Sequence, residues 1–274
     1  MFDQVRRRTR FSAAFQMLEV VYHSVVRDVR KQHGNAFLAL GVNMLQIVIF
    51  VAVFYVMFTL VGLRGPGGIR GDFLVFLMSG IFLYMTNIKA LGAVMGAEGA
   101  TSAMMKHAPM NTIVAIGSAA IGALYIQTLT LLIIMFGYHV IVTPLEFEDW
   151  QSAFLMFLLA WFNGCALGVV LLALQPWLPT FTKIAALIYK RANMIASGKM
   201  FVANSLPPYM LSMFDWNPLF HIIDQARGFA FINYMPRNSN WEFPLIVSCC
   251  FIVLGLMGEF YTRRHVSVSW YARL

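Results

Sequence analysis

Six long apolar stretches leave this chain little choice of architecture. They cover residues 36–62, 73–97, 112–142, 152–174, 184–202 and 243–261. Each meets or approaches the roughly 20 residues that cross a hydrocarbon core about 30 Å thick. A soluble domain has no need of so many. The composition agrees, being 59% hydrophobic and 12% charged, against about 45–50% and about 25% in ordinary globular chains. The expected fold is an all-α membrane protein with six transmembrane helices within residues 36–262. The 274 residues leave no room for a large soluble domain.

The net charge of +8 is distributed around the apolar runs and not along an aromatic-interleaved surface, which counts against nucleic acid as a partner. Arg6, Arg7, Arg8, Arg10, Arg27, Arg30 and Lys31 precede the first run, against Asp3, Glu19 and Asp28. Arg263, Arg264 and Arg273 follow the last. The connection 143–151 carries Glu146, Glu148 and Asp149 with no base. Basic segments stay cytoplasmic. The N-terminal region 1–35 and the tail 263–274 are therefore both expected inside, a parity that six spans satisfy. Arg64 and Arg70, in the outer turn LRGPGGIRGD, run mildly against this rule.

Phe11, Phe15, Leu18, Tyr22, Val25 and Val29 recur at helical spacing among cations. This predicts an amphipathic helix in the cytoplasmic interface, with a surface helix packed on a partner as the alternative. Cys165, Cys249 and Cys250 fall inside apolar runs and form neither a disulfide framework nor a metal-ligand spacing. Residues 97–111 read as a brief cytoplasmic helix between turns. Pro176 and Pro179 cut the fourth and fifth runs apart. Residues 201–241 are too interrupted by Pro207, Pro208, Pro218 and Pro236 to cross. The stripe Leu219, Ile222, Ile223, Ala226 and Phe229 favours a re-entrant outer hairpin buried in protein over a plain outer loop.

Within that hairpin, FDWNPLFHIIDQARGFAF (214–231) resembles the NPL-x-H-hydrophobic-acidic-x-x-R signature of type-2 ABC exporter permeases, those of capsular polysaccharide and O-antigen export above all. IASGKMF (195–201) followed by SLPPYM, FLMSGIFLYM (76–85) and KHAPMNTIVAIGSA look like the same family. The resemblance implies a transport subunit in the bacterial inner membrane that pairs with a second copy of itself. It implies a lipid-linked polysaccharide as substrate, membrane lipids around it, and periplasmic and outer-membrane export components as further partners. A dimer of ATP-binding cassette subunits would dock below. There is no GxxxxGK[ST] phosphate loop in the chain, so ATP and Mg belong on that partner and no cofactor is expected here. The loop 97–111 then looks like the family's coupling helix, with Glu98, Lys106, His107 and Pro109 meeting the ATPase.

Three cations on the fifth run demand a reason, because a central Lys or Arg costs about 2.5–3.5 kcal/mol on insertion scales. Lys190, Arg191 and Lys199 are candidates for a cationic lining matched to an anionic glycan. Alternatively, Lys190 and Arg191 snorkel to the cytoplasmic interface from a helix starting near Tyr189, and Lys199 snorkels outward. Tyr84, Trp161, Phe162, Tyr189 and Trp216 are candidate sugar-stacking rings along the same pathway, packing being the alternative for each. Asn217, Pro218, His221, Asp224 and Arg227 form the re-entrant motif. His221, Asp224 and Arg227, at i, i+3 and i+6, read as a hydrogen-bonded structural cluster and not as an acid–base set. No catalytic residue and no metal site is expected. The rival functions are an exporter of drugs or small lipids, and a membrane-embedded enzyme acting on lipid-linked sugars. The enzyme would need paired acids, and only Glu146, Glu148 and Asp149 cluster.

Overall fold

A computed structural model describes residues 19, 22–26, 36–60, 72–97 and 112–265. Among them the regular structure is entirely helical: α1 (Ala36–Leu60), α2 (Phe73–Met95), α3 (Thr112–Ile141), α4 (Trp150–Leu174), α5 (Pro179–Ala196), α6 (Pro208–Phe214), α7 (Pro218–Ala230) and α8 (Glu242–His265), with a 3-10 turn at Ala203–Ser205. Of the expected interface helix, only residues 19 and 22–26 are described, and they are helical. The rest of it, the turn around Pro66, the coupling residues Glu98, Lys106, His107 and Pro109, and the tail from 266 lie outside the described residues.

Helix starts follow from local chemistry. Asp72 caps α2 through Leu74 N–H, and Asp149 caps α4 through the N–H groups of Gln151 and Ser152. Such side chains satisfy donors that a first turn leaves open. Pro179, Pro208 and Pro218 open α5, α6 and α7, where a missing N–H costs nothing.

Among the described residues five helices are long and apolar enough to cross a membrane: α1, α2, α3, α4 and α8. The fifth apolar run is not among them. Its helix spans 18 residues, begins at Pro179 instead of Ile184 and stops at Ala196 instead of Val202. Lys183, Lys190 and Arg191 keep its composition below that of the others. The stop has a local cause: Gly198 takes φ 73, a left-handed conformation that glycine adopts without strain.

Helices α2 and α4 form the centre, with 78% and 67% of their apolar windows buried, against 28% for α1 and α3 and 22% for α8. Lipid is as apolar as leucine, so close helix contact depends on small residues. Gly164 of α4 is the tightest case, since a Cβ there would lie 2.2 Å from the Asn87 carbonyl oxygen of α2. Gly164→Leu is expected to push α2 and α4 apart and to destabilise the protein by about 1–3 kcal/mol. Thermal unfolding in detergent checks this, and an unchanged midpoint would mean that the contact is not tight.

Helix α7 is almost wholly buried, from Leu219 to Arg227 and again at Ala230, and packs on α2, α4 and α8. Its far end is stitched to the acidic α3–α4 connection, where Asp149 N–H donates to the Phe229 carbonyl at 2.9 Å. Helix α6 buries none of its residues.

Candidate substrate pathway and its scaffold

The segment 214–231 builds a joint between α5, α7 and the strand-free stretch that leads into α8. Asn217 caps α7 through Leu219 N–H at 3.1 Å, and its amide donates to Asn193 Oδ1 at 2.9 Å and to the Ala196 carbonyl at 3.0 Å. The same side chain therefore starts one helix and closes another. Arg227 completes the joint. Its Nη1 donates to the carbonyls of Gly198 and Phe201, both at 2.7 Å, and its Nη2 to that of Lys199 at 2.6 Å. A planar fork with fixed donors suits three converging carbonyls. The guanidinium also lies 3.9 Å from the Phe76 ring centroid. Gly80 makes room for it, because a Cβ there would be 2.7 Å from Nη2 and 2.8 Å from the Lys199 Cα.

His221 and Asp224 are consumed in the same way. Asn240 N–H donates to His221 Nδ1 at 3.1 Å, so Nε2 carries the proton and donates to the Asp215 carbonyl at 2.6 Å. Asp224 accepts from the Tyr234 hydroxyl on one oxygen and from Ser239 Oγ, at 2.6 Å, on the other. Both ring nitrogens of His221 and both carboxylate oxygens of Asp224 are hydrogen-bonded within the protein. Among the described residues no group of three His, Cys, Asp or Glu is placed to hold a metal.

Lys199 departs from expectation. It does not snorkel outward but is fully buried, and its side chain runs from the level of Gly80 back along α2. Its ammonium lies 3.6 Å from the Tyr84 ring centroid, 4.9 Å from Phe50 and 5.5 Å from Phe54. It has no hydrogen-bond partner. The cause is the early stop of α5, because Lys199 lies past the glycine turn and its carbonyl is pinned by Arg227. Ring faces attract a desolvated cation by about 2 kcal/mol or more, which offsets part of its burial.

Lys190 and Arg191 lie well inside α5, since the helix starts at Pro179 and not near Tyr189. The Tyr84 hydroxyl, midway along α2, donates to the Lys190 carbonyl at 3.0 Å. Lys190 is half-buried and Arg191 is exposed. Beside them a polar chain crosses four helices. The Tyr189 hydroxyl donates to Asn87 Oδ1 at 3.0 Å, Asn87 to Asn163 at 3.0 Å, and Asn163 to Ser248 Oγ at 2.9 Å.

The five candidate rings do not share one surface. Tyr84 of α2 bonds to α5, and Tyr189 of α5 bonds to Asn87 of α2. Trp161 turns the other way and donates to the Ala120 carbonyl of α3 at 2.8 Å. Phe162 lines an apolar groove with Leu155, Trp241 and Leu245. Trp216 is exposed and bonds back to the Met213 carbonyl at 2.6 Å. Sequence reasoning passed over Lys89, Asn43, Gln127, Asn87 and Asn163. The signal was available, as each is a polar residue inside an apolar run.

No family model matches the chain. Two curated relatives, both polysialic acid transport protein KpsM from Escherichia coli, align with it over 185 residues at 20% and 23% identity. Each alignment covers 68% of this chain and 71% of the relative. The chain is thus distantly similar to these two transport proteins. Within the 214–231 segment, Asn217 and Arg227 hold the end of α5 and the turn after it, whereas His221 and Asp224 tie α7 to Asp215 and to the stretch 234–240.

Proposed function

We propose that this permease moves a lipid-linked, anionic polysaccharide out across the bacterial inner membrane, driven by an ATP-binding cassette dimer that carries ATP and Mg. The supporting observation is the placement of Lys190, half-buried level with the middle of α2, in a chain related to two carriers of an acidic polymer. A cation at that depth faces protein or a wet path and not lipid. In this reading α5 is the sixth crossing, both termini are cytoplasmic, and α6 with α7 forms the re-entrant outer hairpin. A second copy of the chain covers the exposed apolar faces of α1 (Leu38, Leu45, Val53) and α5 (Ile184, Leu187, Ile188). The coupling loop 97–111 seats on the ATPase, and periplasmic and outer-membrane components receive the glycan.

Affinity-tagged permease isolated from its own cells is expected to bring down an ATP-binding subunit in a one-to-one ratio. The reconstituted complex is expected to hydrolyse ATP faster when an acidic glycolipid is supplied. A tagged permease that purifies without any ATPase under mild detergent would sink this reading.

A further inference from the structure

A cavity of about 310 Å³ lies between α1, α2 and α3 and is closed on one side by Lys190 of α5. Its size falls at the small end of the about 300–1,000 Å³ typical of ligand pockets. The polar lining consists of Asn43, Lys89, Gln127 and Lys190, and the lining includes no carboxylate. Lys89 donates to Gln46 Oε1 at 2.7 Å, which uses one of its three donors. The Lys190 ammonium lies over Gly92, where a Cβ would be 3.5 Å from Nζ. Two ammonium groups thus border one hollow with no counter-ion on its walls.

The amides beside them are already engaged with one another: Gln127 Nε2 donates to Asn43 Oδ1 at 3.2 Å, and Asn43 donates to Thr130 Oγ1 at 2.9 Å. What the walls ask for is negative charge near Lys89 and Lys190.

We infer that this cavity binds a single anionic headgroup, with Lys89 and Lys190 taking its phosphate or carboxylate. A glycerophosphate lipid headgroup and an acidic sugar residue share this chemistry. The site shares Lys190 with the pathway proposed above, and its test reads binding and not export, so failure of one is distinguishable from failure of the other.

The full chain in nanodiscs provides the test. Glycerol 1-phosphate and glucuronate are titrated in phosphatidylcholine discs, and retention of phosphatidylglycerol is read by native mass spectrometry. At least one probe is expected to bind, and Lys89→Gln with Lys190→Gln is expected to weaken it at least about tenfold. Gly92→Leu keeps both lysines but fills the hollow, and it is expected to do the same. Binding of the soluble acids assigns the site to a sugar or free phosphate, and retention of phosphatidylglycerol alone assigns it to a lipid. Binding by none of the probes, or variants within about twofold of the parent, would overturn the inference.

Discussion

Arg227→Leu is expected to cost about 3–5 kcal/mol of stability, the range found when one partner of a buried charged network is removed. Leucine fills much of the volume but leaves the carbonyls of Gly198, Lys199 and Phe201 without their donors where they are buried or partly buried. Phe76 loses its cation as well. The turn after α5 is then free to open, and Lys199 is released from its ring cage. Thermal unfolding of the purified chain checks the size of the loss. Arg227→Lys serves as the comparison: it keeps the charge but reaches fewer carbonyls, and is expected to recover only part of the stability. A leucine variant that melts with the parent would mean that the joint does not depend on the guanidinium.

Reversing charge at the start of the proposed pathway is expected to have the largest functional effect. Lys190→Glu with Arg191→Glu replaces attraction for an anionic glycan by repulsion. Near a protein surface each close charge pair is worth up to about 4 kcal/mol before screening. A loss of even about 2.7 kcal/mol corresponds to about a hundredfold fall in export. Assembly with the ATPase is expected to survive, since neither side chain takes part in the joint around Arg227. Quantifying surface glycan alongside co-purified ATPase separates the two readouts. Normal surface glycan in cells carrying the double variant would remove these residues from the transport path.

The helices α1 to α4 and α8 were legible because each is a property of a contiguous run. Length and apolarity decide that the backbone must bond to itself, whatever the neighbours are. The breaks at Pro176 and Pro179, the interruption of 201–241 by short helices, and the hydrogen bonding of His221 and Asp224 were also within reach of local chemistry. The direction of Lys199 was not. An ideal helix through residues 184–202 sets it opposite Lys190, but α5 ends at Ala196 and Gly198 turns the chain, so helical periodicity no longer applies. Trp161 and Phe162 look like pathway residues by type alone, and which face of α4 meets α3 or α8 is decided by packing.

By itself the sequence determined that the chain is helical and built for a membrane, because these depend on composition and on the length of contiguous apolar runs. Only the tertiary structure decided which polar groups inside the apolar runs meet one another. Asn87 with Asn163, Arg227 with three carbonyls, Lys199 with three rings, and Lys89 with Lys190 across one cavity come from different helices. Their pairing depends on helix rotation and depth, which small residues such as Gly80 and Gly164 set through contacts between distant parts of the chain.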